Sequence, residues 1–245
     1  MILVTTYYDG PSLSEFKYKN FTESQIKFLA ACIIQSLKYI REKKIIHRDI
    51  FLGNVILDKD KYFNLIDFSC SIDYSNRKAK KFFWHGLTVS SPPEALKHST
   101  NNFNSDYYTL GHLIIFLIFK KYLLKNRGTK NLTELVLKYN MTNKYSKELF
   151  NFLNKIIENN MENRLGYKNI NELMNHPWFN NIIWKDIEMR KIVSPFRIIT
   201  INITDHICFD FIKKEKEVEK YMLLIKSKFY KKIIKNFDYS NKWIQ

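Results

Sequence analysis

Cysteine is scarce and scattered: Cys32, Cys70 and Cys208 are the three in 245 residues, and no pair has the spacing of a zinc site or a disulfide framework. That usage fits a reducing, intracellular compartment, and a cytoplasmic location is expected. Glycine and proline are few, 6 and 5, which excludes collagen-like repeats and long Gly/Pro linkers. No internal repeat occurs at a solenoid period. Long hydrophobic runs are missing too. The most apolar stretch, residues 110–119, is too short to span a bilayer and runs into Lys120-Lys121, so it reads as a buried core helix. The first residues lack a charged region followed by an apolar run, so no signal peptide is expected. Acid is in short supply, 24 residues against 40 Lys and Arg, for a net charge of +16. The positive charge is spread along the whole chain. It therefore reads as lysine-rich composition with weak, salt-sensitive polyanion binding, and no specific nucleic-acid partner is expected.

What is present is apolar: 45% hydrophobic and 16% aromatic residues, enough for one sizeable core with appendages. Ile2 to Thr6 is a short β-branched run, broken at Asp9-Gly10-Pro11. Thr22 and Gln25 form a capping box ahead of Ile26, Leu29, Ala30, Ile33, Ile34, Leu37 and Ile40, which predicts a helix to about Glu42. Val55 to Leu57 and Phe63 to Ile66, separated by four charged residues, predict a small hairpin. Residues 69–91 show no period and read as a long loop, the kind that is usually functional. Asp106 to Leu124 reads as a central buried helix. Further helices are predicted over 132–139, 147–159, 170–175 and 213–235, with 180–212 irregular or extended. The fold class expected is mainly α with a small β-hairpin.

The segment that carries chemistry is Ile45 to Asp58, followed thirteen residues after Asn54 by Asp67. A loop presents Asp49 and Asn54, a hairpin stands behind it, and Asp67 follows at the hairpin's far end. Carboxylate and amide oxygens meeting there suit a hard cation that already holds phosphate oxygens. A further carboxylate can orient and deprotonate a hydroxyl. Taken singly, each of these residues could equally be a turn-capping Asx side chain.

The run His47-Arg48-Asp49-Ile50-Phe51-Leu52-Gly53-Asn54 resembles the H-R-D-L-x-x-x-N catalytic loop of the protein kinase family, and Asp67-Phe68-Ser69 resembles its D-F-G. Pro92-Pro93-Glu94 stands where A-P-E is expected, Asp106 to Gly111 resembles the start of the family's central helix, and Arg164 resembles the buried arginine that pairs with that glutamate. Asn163 to Gly166, His176 to Phe179, Trp184 and Pro195-Phe196 look like the AGC group of serine/threonine kinases, nearest in style to the cyclic-nucleotide-dependent kinases. Asn236 to Tyr239 resembles the tail segment that lies across the nucleotide site in that group.

The resemblance implies a kinase C-terminal lobe with a cleft hairpin: 1–12 as hinge strand and linker, 13–179 as the lobe, and 180–245 as a basic AGC-like tail. It implies ATP and Mg²⁺ as cofactors and a protein Ser or Thr as substrate. Asp49 would be the catalytic base, and Asn54 and Asp67 would hold the metal. Thr6, Tyr7 and Tyr8 would lie at the hinge, and Ile56 would floor the adenine pocket. Arg48, Glu94, Asp106 and Arg164 would be structural, and His47 a packed core histidine.

The pattern also breaks. The strand-rich lobe that precedes the hinge in the family is expected to be missing, since no G-x-G-x-x-G lies upstream of the catalytic loop. Phe51 stands where a lysine contacts the γ-phosphate, Ser69 replaces the D-F-G glycine, and Phe83 and Leu87 replace the activating threonine and the threonine that braces the catalytic aspartate. Two functions are therefore carried forward: an ATP-dependent Ser/Thr kinase by descent, expected to be present here as a fragment without its N-terminal lobe and open to a regulatory or lobe-completing partner, and a catalytically impaired pseudokinase that binds or scaffolds.

Overall fold

A computed structural model describes residues 8, 10–17, 19–75, 90–98, 102–120, 132, 136–137 and 141–196. Helix α1, Glu23–Glu42, begins where the sequence places its box: Thr22 Oγ1 accepts from Gln25 N at 3.3 Å, and Gln25 Oε1 accepts from Thr22 N at 3.0 Å. Two of the four amides that a helix start leaves orphaned are thereby satisfied. Its apolar stripe is buried, with Ile26, Leu29, Ile33 and Ile34 wholly inaccessible.

Strand β1 (Ile45–Ile46), the 3₁₀ turn Leu52–Asn54, strands β2 (Val55–Leu57) and β3 (Phe63–Leu65), and β4 (Ile72–Asp73) follow. β2 and β3 form the expected hairpin in register Val55↔Leu65, Ile56↔Asn64 and Leu57↔Phe63. β1 and β4 form a second antiparallel pair, Ile45↔Asp73 and Ile46↔Ile72. This pairing was not anticipated within the aperiodic stretch 69–91, because two-residue strands carry no readable alternation.

Helix α2 is Pro93–His98 and α3 is Phe103–Phe119. α3 is buried nearly all round, as the core-helix reading requires, but it starts and stops earlier than 106–124. Asn102 caps it by accepting from Asn104 N, and Lys120 ends it in the left-handed region at φ 55. Lys120 Nζ donates to Leu117 O at 2.9 Å and also to Lys19 O, which satisfies a carbonyl at that end. Helix α4, Lys147–Ile156, ends three residues short of the expected 159. Of the helix expected over 132–139, Leu132, Val136 and Leu137 are helical.

Helices α5 (Asn171–Met174) and α6 (Trp184–Glu188) complete the described elements. α6 lies in a stretch whose sequence reads as irregular; it packs on α1, and that tertiary contact supplies what five residues cannot. Arg190 then clamps the hairpin turn, donating to Asp58 Oδ2 at 2.5 Å and Asn64 Oδ1 at 3.0 Å. Phe196 seals the same flank, edge-on to Phe63 at 4.8 Å. Residues 1–197 form one compact unit. The strand expected at 2–6, Phe83, Leu87, the helix expected at 213–235 and the Asn236–Tyr239 segment lie outside the described residues. Among the described residues no helix is long and apolar enough to cross a membrane.

Candidate active site

The loop after β1 is held from below by one carboxylate. Asp106, on α3 and 2% exposed, accepts from His47 N at 2.8 Å and from Arg48 N at 2.7 Å. This double acceptance fixes two consecutive peptide groups and lets Arg48 take φ 70, a left-handed conformation costly for a residue other than glycine. Arg48 Nε then donates to Cys70 O at 2.6 Å, and Ser71 Oγ to His47 O at 3.3 Å, which stitches this loop to the stretch following Asp67.

His47 works as a structural spacer. Its Nε2 meets Ile66 O at 3.1 Å, a pure acceptor, so Nε2 carries the proton; Nδ1 accepts from Asp49 N at 3.3 Å. The ring is therefore the neutral Nε2–H tautomer, edge-on to Phe68 at 4.9 Å. Burial holds its pKa down to about 4, opposed by the Ile66 carbonyl and by Asp67.

Asn54 is 6% exposed, and its Nδ2 donates both to Asp49 O and to Asp49 Oδ2, each at 2.9 Å. Its backbone carbonyl oxygen accepts from Ile66 N at 2.9 Å, which brings the residue before Asp67 against the Leu52–Asn54 turn. Asp67 is exposed and sits at φ 64. The hydroxyl and amide of Ser69 hold its carboxyl below the usual carboxylate range. Asp49, Asn54 and Asp67 are thus carried on two segments joined by direct hydrogen bonds.

Ile56 is half-buried on β2, bridged to Ser12, while Leu57 N donates to Pro11 O at 3.0 Å. A Cβ on Gly10 would lie 1.8 Å from Leu57 O, so only glycine lets residues 10–12 approach the hairpin so closely. Tyr8 lines a cavity of about 450 Å³ with Cys32, Gln35, Tyr62, Phe68 and Arg190, and neither Asp49, Asn54, Ile56 nor Asp67 borders it. Thr6 and Tyr7 lie outside the described residues. Among the described residues no three Asp, Glu, His or Cys side chains converge on a metal position. Two oxygen donors, Asn54 and Asp67, are what remains. That sparse hard set fits Mg²⁺, which keeps waters and shares phosphate oxygens, rather than zinc.

Two residues that sequence reasoning gave no place in this frame matter to it. Arg190 was invisible because its clamp depends on φ 56 and on partners some 130 positions away. Glu23 accepts from Ser146 N at 2.6 Å and Trp178 Nε1 at 2.9 Å, tying the start of α1 to α4; only its place in the first turn of a helix hinted at use.

The buried histidines make stability pH-dependent. Burial holds His47, His112 and His176 at about 4, and pushes Asp106 up to about 7. Between pH 4 and 6.5 the unfolded chain binds one more proton at each histidine, while the folded chain binds one more at Asp106. The balance is about two protons in favour of the unfolded state, each worth about 1.4 kcal/mol per pH unit, so stability falls as pH drops through this window. Melting temperature followed from pH 7 to 4.5 should fall steeply. His112→Phe should flatten that slope and raise the melting point at pH 5, since both nitrogens of His112 are buried without a hydrogen-bond partner. An unchanged slope in the variant would remove His112 from the account.

The family model described as "Protein kinase domain" matches residues 1–179. The chain is 25% identical over 192 residues to ribosomal protein S6 kinase alpha-6 of Homo sapiens, covering 78% of this chain and 26% of that protein. It is 28% identical over 205 residues to cGMP-dependent protein kinase 2 of Rattus norvegicus, covering 81% and 27%. It is 30% identical over 195 residues to the RAC serine/threonine-protein kinase of Drosophila melanogaster, covering 78% and 32%. The matched region spans about a quarter to a third of the length of these relatives. The chain belongs to the protein kinase family and, at low identity to these relatives, to its AGC type.

Proposed function

We propose that this protein is an ATP-dependent Ser/Thr protein kinase. The observation that carries the reading is the linkage of Asp49, Asn54 and Asp67: one amide group is fixed on Asp49, and the same residue's carbonyl holds the segment that ends in Asp67. Asp49 orients the acceptor hydroxyl and takes its proton as the oxygen bonds to the γ-phosphorus and the β,γ-bridging oxygen leaves with ADP. Asn54 and Asp67 supply the protein oxygens for Mg²⁺, which neutralises phosphate charge when bound. In this reading Tyr7 and Tyr8 with Thr6 border the adenine, and Ile56 lies beneath it. Residues 1–12 form the hinge and linker, 13–179 the lobe, and 180–245 the tail.

A second reading, a catalytically impaired binding protein, is favoured by one specific observation. Phe51 brings an aromatic ring, not a cation, to the turn beside Asp49, and transition-state charge there goes without that support. Mg-ATP separates the two. A competent site binding nucleotide at a hundredfold excess over Kd gains about 2.7 kcal/mol, a rise of several degrees in melting temperature. A melting curve unmoved by millimolar Mg-ATP would sink the first reading.

A further inference from the structure

We infer that Arg190 is a positioning residue for Asn54 and Asp67: from the opposite end of the β2–β3 hairpin it sets the register in which the two stand side by side. What they hold rests on the kinase reading; how they are held does not. Asn54 immediately precedes β2, and Asp67 comes two residues after β3. Three strand pairs separate them from the turn, about 10 Å at the usual rise per residue. So short a hairpin is marginal alone, and a slip of one residue would turn every side chain of one strand to the other face. In the observed register Ile66 N donates to Asn54 O at 2.9 Å, and that bond sets Asp67 beside Asn54.

At the turn three side chains close a ring. Arg190 Nη1 donates to Asp58 Oδ2 at 2.5 Å and Nη2 to Asn64 Oδ1 at 3.0 Å, while Asn64 Nδ2 donates to Asp58 Oδ2 at 2.7 Å. Asp58 follows β2 directly, and Asn64 lies in the middle of β3 opposite Ile56. The ring closes only with Asn64 on that face, so it rejects the slipped register. Asp58 also accepts from Tyr62 N at 2.9 Å, and the guanidinium lies 5.3 Å from the centre of the Tyr62 ring. Tyr62 Oη donates to Ile192 O at 2.7 Å, which anchors the segment that carries Arg190. The Asp58 side chain is 5% exposed and that of Arg190 39%. Removing the guanidinium therefore strands a buried carboxylate at the turn and loosens the pairing of the two strands. Lysine keeps a charge opposite Asp58 but lacks the planar fork that reaches Asn64 as well.

The test uses the full chain as wild type, Arg190→Met, Arg190→Lys and, as a control for lost stability, Leu173→Ala at a wholly buried position on α5. Amide hydrogen exchange followed by NMR compares Ile66 with Ile33, which lies inside α1. In Arg190→Met the protection of Ile66 should fall at least roughly tenfold more than that of Ile33, as the loss of a charge-assisted bond implies. The excess should be smaller in Arg190→Lys and absent in Leu173→Ala. Calorimetry should show Mg-ATP bound about tenfold more weakly by Arg190→Met, the low end of what removing support behind metal ligands costs, and as in wild type by Leu173→Ala. Equal losses at Ile66 and Ile33, wild-type protection of Ile66 in every Arg190 variant that folds, an Ile66 amide that loosens while Mg-ATP binds as before, or an equal weakening of Mg-ATP binding in Leu173→Ala overturns the inference. A wild-type chain that binds no Mg-ATP removes the kinase reading instead, and the exchange ratio alone then decides whether Arg190 sets the register.

Discussion

Arg164→Met should cost the folded state about 3–5 kcal/mol, a large part of the 5–15 kcal/mol that holds a typical domain together. Arg164 is 1% exposed and Glu94 9%. Their pairing is bidentate, Nη1 to Oε1 at 2.7 Å and Nη2 to Oε2 at 2.9 Å. The guanidinium also donates to Glu158 O at 2.8 Å and Asn104 O at 3.2 Å, and lies 4.7 Å from the centre of the Tyr108 ring. Ser105 Oγ donates to Glu94 Oε1 at 3.2 Å. One side chain therefore joins α2, the start of α3 and the loop that follows α4. Methionine fills much of the same volume but leaves the buried Glu94 carboxylate without its guanidinium and the Glu158 and Asn104 carbonyls without their donor. The cost comes mainly from that stranded charge, so Glu94→Gln combined with Arg164→Met should lose clearly less than the two single losses added together. Urea unfolding of the four proteins closes the cycle. Additive losses would mean that the pair is solvated and contributes little.

This pair was legible before any coordinates, because Pro92-Pro93-Glu94 and Arg164 are motif residues in the right order. Helix α1, the β2–β3 hairpin and the core of α3 were legible for a different reason. Each announces itself locally, through a capping box, two short apolar runs around a charged turn, and an apolar stretch too long for a strand. What escaped is what depends on partners remote in sequence. The β1–β4 pair consists of two-residue strands with no pattern of their own. α6 takes its stability from α1, and Arg190 reaches its carboxylate only from a left-handed backbone position. In the site, spacing picked out Asp49, Asn54 and Asp67. It could not show that Asn54 spends its amide group on Asp49 twice, that His47 is fixed as one tautomer by a carbonyl and an amide, or that the Phe51 ring lies over Gly53. Those facts arise from rotamers and from backbone at φ 70 and φ 64, which residue order does not encode.

Asp49→Asn should abolish phosphotransfer, with kcat down roughly a hundredfold to ten-thousandfold, while the melting point and its response to Mg-ATP stay close to wild type. The separation follows from what each oxygen does. Asp49 Oδ2 accepts from Asn54 Nδ2 at 2.9 Å, and an asparagine carbonyl at residue 49 can still accept that bond. The backbone contacts persist as well, since Asp49 N donates to His47 Nδ1 and Asp49 O accepts from Asn54. The loop therefore keeps its shape. What an amide cannot do is take a proton from a serine hydroxyl, because it has no anionic oxygen to protonate near neutral pH. Asp67→Asn gives the complementary loss. The Ser69 bonds that lower its pKa can survive on the amide oxygen, but the charge that would face Mg²⁺ is gone, so the nucleotide-dependent rise in melting point should shrink with it. Single-turnover transfer and thermal shift, measured on both variants, read the two roles apart. Transfer that survives Asp49→Asn would show that Asp49 is not the base. A thermal shift that survives Asp67→Asn at full size would take Asp67 out of the metal site and leave Asn54 alone as the protein's donor.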